Sequence, residues 1–203
     1  MKFEVDAREF ENALRNIKAY TSTDSATPVL HNIRIRFTPN DVVVDATDRY
    51  AVAQYRTPRQ DVDGGSGSFM IHKSALDVLL PALKSRKITV DVVATEVVAV
   101  AGVSVPLAEG DFPAIDRLWP DRLPEPSDPF ALRPSVMKRL GQYRPLDRRD
   151  DAPFQVFAGE AGTPIVVLRG ERFRVLAVSL SEGTSLMGRS GGCYEGWRDV
   201  CPN

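Results

Sequence analysis

Several things are scarce in this chain, and each scarcity excludes something. Its 203 residues hold only two cysteines, Cys193 and Cys201, both within the last eleven positions. That is too few for a disulfide framework and the wrong spacing for a zinc site. Both thiols are expected to be reduced, as in a cytoplasmic protein. No run approaches the roughly 18 apolar residues of a membrane helix. The start, Met1-Lys2-Phe3-Glu4-Val5-Asp6, lacks the apolar core of a secretion signal. Charge of one sign is also lacking: the formal net charge is -1. Bulk attraction to nucleic acid is therefore excluded, although a neutral total can hide a segregated basic face.

Chemistry-bearing groups are thin as well. The two histidines, His31 and His72, stand far apart. No Ser-His-Asp order, Gly-rich phosphate loop or metal-ligand cluster is present. Asp45 and Asp48 could form a carboxylate pair, but in a tight turn such residues more often bond their own backbone. The expectation is a non-catalytic protein with no metal and no cofactor.

What remains is an ordinary globular composition, 43% hydrophobic and 26% charged, arranged in a repeat. Phe3, Val5 and Ala7 alternate with acidic residues as a strand. A helix is predicted over Arg8 to Tyr20, with Phe10, Leu14 and Ile17 on one stripe. Leu30 to Phe37 alternates Ile33, Ile35 and Phe37 with Arg34 and Arg36, a half-buried strand. Val42 to Val44, the polar stretch Asp45 to Asp48 and the alternating run from Tyr50 form a hairpin. After the glycine-rich segment 60–68 the pattern restarts: strand Phe69 to Ile71, helix His72 to Arg86 with Pro81 near its end, and strands at 88–93, 97–100 and 103–107. It starts a third time with strand-like Phe130 to Leu132 and a helix over Pro134 to Tyr143, with Pro134 at its first position. Strands follow at 154–158, 165–168 and 172–180. The reading is α+β: β-α-β-β-β, three times, with a period of about 60 residues. Residues 1–122 form a domain of two units, 123–183 a partial second domain, and 184–203 a tail.

Each helix carries basic residues on its outer face: Arg8, Arg15 and Lys18 on the first, Lys73 and Lys84 (beside Asp77) on the second, Lys138 and Arg139 on the third, with Arg144, Arg148 and Arg149 after it. They are either the solvated side of three amphipathic helices or one cationic surface that contacts phosphates without reading bases.

Several blocks, in order, carry a family resemblance. Ala46-Thr47-Asp48-Arg49-Tyr50-Ala51-Val52-Ala53 resembles the Ala-Thr-Asp-Gly-His-Arg-Leu-Ala hairpin of the bacterial DNA polymerase III β subunit, the sliding clamp. Leu30-His31-Asn32 resembles that family's Leu-Asn-Gly. Phe69 to Leu83 resembles its second strand and Leu-rich helix. Gly110-Asp111-Phe112-Pro113 through Pro120 resembles its Gly-x-Phe-Pro…Pro block. Residues 1 to about 120 match the clamp's middle domain, and 128 to about 183 resemble the first half of the next.

The resemblance implies a DNA-clamp fold, with sheets outside and helices on the inner face of a ring around double-stranded DNA. The contacts would be sequence-independent. It implies a processivity factor that holds a replicative polymerase on DNA, assembled as a homo-oligomer. It also implies a pocket for short peptides of polymerases and repair proteins, at Leu30, Thr47, Arg49, Tyr50, Val52, Trp119 and Pro120. Arg49 stands where the family often has Gly, and Tyr50-Ala51 where it has His-Arg. Trp119 and Phe112 also fit a plain core. Clamps carry four or six such units, whereas this chain has three. The alternative is a non-encircling clamp paralogue that serves as a peptide-binding module.

Overall fold

The computed structural model describes residues 2–60, 65–83, 87–93, 97–100, 102–125, 132–147, 149, 152–159 and 163–178. The first unit runs β1 (Lys2–Asp6), α1 (Ala7–Lys18), β2 (Asn32–Phe37), β3 (Asp41–Thr47) and β4 (Ala51–Pro58). The second runs β5 (Gly67–His72), α2 (Leu76–Ala82), β6 (Lys87–Val93), β7 (Val97–Val100) and β8 (Val103–Pro106). The third contributes α3 (Pro134–Gly141), β9 (Gln155–Phe157), β10 (Ile165–Arg169) and β11 (Phe173–Ala177). Most predicted elements are present with ends shifted by a few residues. The strand expected at Phe130 to Leu132 lies outside the described residues except for Leu132, which is not in a strand.

Local chemistry accounts for the helices. Asp6 caps α1 by accepting from the Glu9 backbone N–H at 3.0 Å, a contact typically worth about 1 kcal/mol. Glu9 in the first turn and Arg15 and Lys18 in the last complement the helix dipole. Helix α2 is shorter than its apolar stripe suggests. It is entered through a 3-10 turn, Lys73–Ala75, and Pro81 sits within its last turn. Proline removes a helical hydrogen bond and clashes with the preceding turn.

The units exchange strands. β1 pairs with β6, and β5 pairs with β2, both antiparallel. The result is a four-stranded sheet, β1-β6-β7-β8, and a seven-stranded sheet, β5-β2-β3-β4-β11-β10-β9. Alternation sends Ile33, Ile35, Val42, Val44, Ala53 and Tyr55 to one face of the large sheet, where they join Phe10, Leu14, Ile17, Leu76, Leu79, Val136 and Leu140 in one core.

The third unit is joined to the first through backbone pairing. β11 runs antiparallel to β4, from Phe173 opposite Tyr55 to Ala177 opposite Ala51. Beneath the joint, Phe173 lies among aromatic rings, 4.8 Å from Tyr143 and about 6 Å from Tyr20 and Tyr55 by centroid. Arg172 pairs with Glu9 at 2.6 Å. Residues of 1–122 and of 123–183 therefore share one sheet and one core.

One sequence expectation is overturned here. Asp45 is not a turn residue bonding its own backbone. It lies in β3, fully buried, with its carboxylate on Arg34 and Arg36 at 2.9 and 2.8 Å. The turn is Asp48 to Tyr50, and Asp48 does bond backbone there, accepting from the N–H groups of Tyr50 and Ala51 at 3.0 and 2.9 Å.

Candidate functional site

Two surfaces carry the candidate residues. On the helix side, α1 lies between α2 and α3. Lys18 pairs with Asp77 of α2 at 2.9 Å. On the other flank the Asn16 side chain bonds both the carbonyl and the N–H of Arg144, at 2.9 and 2.8 Å, just past α3. This places Arg8, Arg15 and Arg144 around one depression and Arg15, Lys18, Arg139 and Arg144 around the next. Arg8, Arg15 and Lys138 are exposed, although Arg15 also pairs with Glu11 at 2.7 Å.

Two other predicted cations, Lys73 and Arg139, are engaged within the fold. Lys73 donates to the Ser22 carbonyl at 2.6 Å. Arg139 is mostly buried, paired with Asp48 at the hairpin tip, and its guanidinium lies 5.5 Å from the Tyr20 ring centroid. It therefore latches α3 to the β3–β4 hairpin. Lys84 lies outside the described residues.

The second surface is the outer face of the large sheet. Residues alternating with the core positions point there: Arg34 and Arg36 on β2, Asp45 on β3, Val52 and Gln54 on β4, Arg174 and Leu176 on β11. The loop carrying the 3-10 turn Ile115–Leu118 covers part of it. Val52, Ile115, Val166 and Leu176 form an apolar cluster against which Phe112, Trp119, Phe157 and Leu168 pack half-buried. The cluster straddles the β4–β11 joint, so half of it comes from the third unit. Val166, Leu168 and Leu176 lie outside the pocket that the sequence resemblance implies. The signal available was β10 itself: Ile165 to Leu168 is apolar on both faces, which a strand with one solvated face would not be.

The structure brings Val52 and Trp119 together in this cluster. Tyr50 is at the hairpin tip, two residues before Val52 and 48% exposed, with the Arg133 guanidinium 4.4 Å from its ring centroid. Its carbonyl accepts from the Val178 N–H at 2.9 Å. Arg49 is exposed, with a left-handed φ of 77°. That conformation favours glycine, which is the residue the resembled hairpin carries. Thr47 is buried and donates through Oγ1 to the Ala51 carbonyl at 2.9 Å, so it braces the hairpin. Leu30 is buried in the 3-10 turn Pro28–His31, outside the apolar cluster. Pro120 is exposed at the end of the covering loop.

Charge holds that loop down. Asp116 reaches Arg34 and Arg36 at 3.0 and 3.1 Å, and both guanidiniums also bind buried Asp45. Burial pushes the Asp45 carboxyl above its ordinary range, against the pull of Arg36 and Arg34. The Arg34 guanidinium also lies 4.7 Å from the Phe112 ring centroid. Arg34 and Arg36 looked solvent-facing by alternation; the loop that covers them is distant in sequence. No group of three or more potential metal ligands occurs among the described residues. No helix there is long and apolar enough to cross a membrane.

No family profile matches the chain, and no curated protein matches it in sequence. Solved structures do match. The β subunit of DNA polymerase from Streptococcus pyogenes is 14% identical, with a TM-score of 0.65 over 93% of this chain and 67% of its own. The DNA polymerase III β subunit of Thermotoga maritima is 10% identical, with a TM-score of 0.69 over 93% and 66%. The Helicobacter pylori β clamp bound to a DNA ligase peptide is 14% identical, with a TM-score of 0.63 over 89% and 66%. The fold is thus the α+β clamp fold, and the chain spans about two thirds of the length of the clamps it matches.

Proposed function

We propose that this protein is a DNA sliding clamp-like processivity factor, a non-catalytic accessory subunit that holds a replicative polymerase on double-stranded DNA. The observation that carries the reading is the seam between α1 and α3. There the Asn16–Arg144 bonds set two basic helix faces side by side, opposite a sheet face that bears an apolar cluster. Exposed Arg8, Arg15 and Lys138 supply sequence-independent contacts to phosphates. The apolar cluster at the β4–β11 joint, with Tyr50 two residues before its Val52, supplies a dock for short peptides of DNA-processing proteins. A clamp of the same fold is known with a ligase peptide.

We also infer the place of the third unit from the strand pairing. A ring of like-handed domains needs head-to-tail joints, so the last strand of a first unit meets the last strand of a second unit. β4 is the last strand of a first unit and it pairs with β11. We therefore read the third unit as the second half of a clamp domain rather than the first half.

The test is retention on DNA. The protein's mass by light scattering and its retention on nicked circular DNA decide the reading. A ring-forming oligomer stays on circles and runs off linear ends. Replacing Arg8, Arg15 and Lys138 together by Gln should lower the salt slope of binding by up to about three, near 0.9 for each phosphate no longer neutralised. A persistent monomer with no retention on circles refutes encirclement. It leaves the second reading, a non-encircling peptide-binding paralogue. Peptide affinity that neither Tyr50→Ala nor Trp119→Ala lowers would remove the pocket from both readings.

A further inference from the structure

The outer face of the large sheet holds a cavity of about 600 Å³ beside the apolar cluster. Arginines from three strands and the turn after β10 meet there: Arg36, Arg56, Arg172 and Arg174, against the carboxylates of Asp116 and Glu171. Some of that charge is already answered. Arg36 binds Asp45 and Asp116, and Arg172 binds Glu9. Arg56 is half-exposed, and its nearest carboxylate, Asp41, is 3.8 Å away. Arg174 forms no ion pair among the described residues. Its Nε donates to Gln54 Oε1 at 2.7 Å and its guanidinium sits 4.0 Å from the Trp119 ring centroid.

Gln54 adds an independent sign of a missing partner. It is 2% exposed, and its Oε1 must be the atom facing Arg174, because a guanidinium only donates. Its Nε2 is therefore the amide donor left over, and it has no acceptor. The Trp119 Nε1 donor is likewise buried without an acceptor. Buried donors without acceptors are destabilising and call for an explanation. Burial lowers the proton affinity of Arg174, against the pull of the Asp45 and Asp116 carboxylates, neither of which pairs with it directly. A bare amide donor, an unanswered guanidinium and a second one at the mouth together match one ligand chemistry, a carboxylate.

We propose that this cavity is a carboxylate subsite: it receives an acidic side chain of the peptide whose apolar residues dock on the Val52–Trp119 cluster. The proposal rests on the peptide-docking reading above and names the class of peptide. Trp119 and Leu168 belong to the apolar cluster, while Arg174 stacked on Trp119 and Leu168 itself line the cavity, so one extended peptide can reach both. The fixed carboxylates are no bar to it. Asp116 is held by two arginines, and Glu171 lies on the turn between β10 and β11.

The experiment compares two short fluorescein-labelled peptides by anisotropy. Both carry leucine and phenylalanine anchors. One has flanking glutamates and the other has glutamines in their place. The glutamate peptide should bind about tenfold more tightly, the gain of a charge-assisted pair, and the advantage should shrink as salt is raised. Arg56→Gln, at an exposed site, should cut that advantage and leave the glutamine peptide's affinity unchanged, which also shows that the variant is folded. Equal affinity for the two peptides, or a preference that Arg56→Gln leaves intact, overturns the carboxylate subsite while docking stands. Inorganic phosphate that abolishes the preference without releasing the glutamine peptide supports an anion site. Binding of neither peptide overturns the subsite and the docking reading together.

Discussion

Phe173→Ala tests the joint on which the whole arrangement depends. Phe173 is 2% exposed at the first paired position of β11, opposite Tyr55, with Tyr143 and Tyr20 closing around it. Truncating a buried phenylalanine costs about 3–5 kcal/mol. The ring pairs it makes are part of that figure, since aromatic pairs contribute about 0.5–1.5 kcal/mol each beyond area. With a cost of about 4 kcal/mol and a urea m-value near 2 kcal/mol/M, the midpoint should fall by about 2 M. The assay is urea unfolding followed by tryptophan emission and by far-UV circular dichroism. Because the third unit shares the sheet and core with the first, both probes should move together in one transition. Val156→Ala is the control. Val156 is 39% exposed on β9, and its truncation should stay within about 0.5 kcal/mol. Two results would refute the reasoning: a midpoint as insensitive to Phe173→Ala as to Val156→Ala, or a second transition beside an unmoved first, which would mean the third unit folds on its own.

Other perturbations have equally definite outcomes. Arg49→Gly relieves a left-handed backbone and should stabilise the protein by about 0.5–1 kcal/mol, seen as a melting temperature raised by about 2 °C; a lower melting temperature contradicts it. Asp48→Asn keeps the acceptor for the turn N–H groups but discharges the latch to Arg139. In a double-mutant cycle with Arg139→Gln the coupling should be about 1–3 kcal/mol, whereas additive losses would dismiss the latch. His72 has its ring 6.0 Å from His31, bonds the Ser74 hydroxyl at 2.7 Å and adjoins Lys73. Desolvation first, then the charges of His31 and Lys73, lower its pKa from 6.5. The folded state then binds fewer protons than the unfolded one just below pH 6.5, so stability should rise with pH through that window. His72→Gln should flatten this part of the pH profile of the urea midpoint, and a profile parallel to the parent's would count against it.

Much of the fold was legible along the chain because it rests on local rules. Period-3.6 stripes such as Phe10, Leu14 and Ile17, and period-2 alternation such as Ile33, Ile35 and Phe37, are determined by what must leave water and need no knowledge of the partner. The repeat, the presence of a hairpin between residues 42 and 53 and the basic outer positions Arg8, Arg15 and Lys138 follow from the same rules, whereas Asp45, placed in the turn by those rules, lies in β3. Tertiary structure alone decided what those residues meet. Pairing of β4 with β11 lies about 120 residues away in sequence, so neither the joint nor the contribution of Val166 and Leu176 to the apolar cluster could be read from periodicity. Arg34 and Arg36 alternate like solvated residues, yet the loop bearing Asp116 folds over them. Arg139 has the position of a solvent-facing cation, yet Asp48 captures it. Local patterning says which side of an element prefers water; the return of distant chain decides whether water is there.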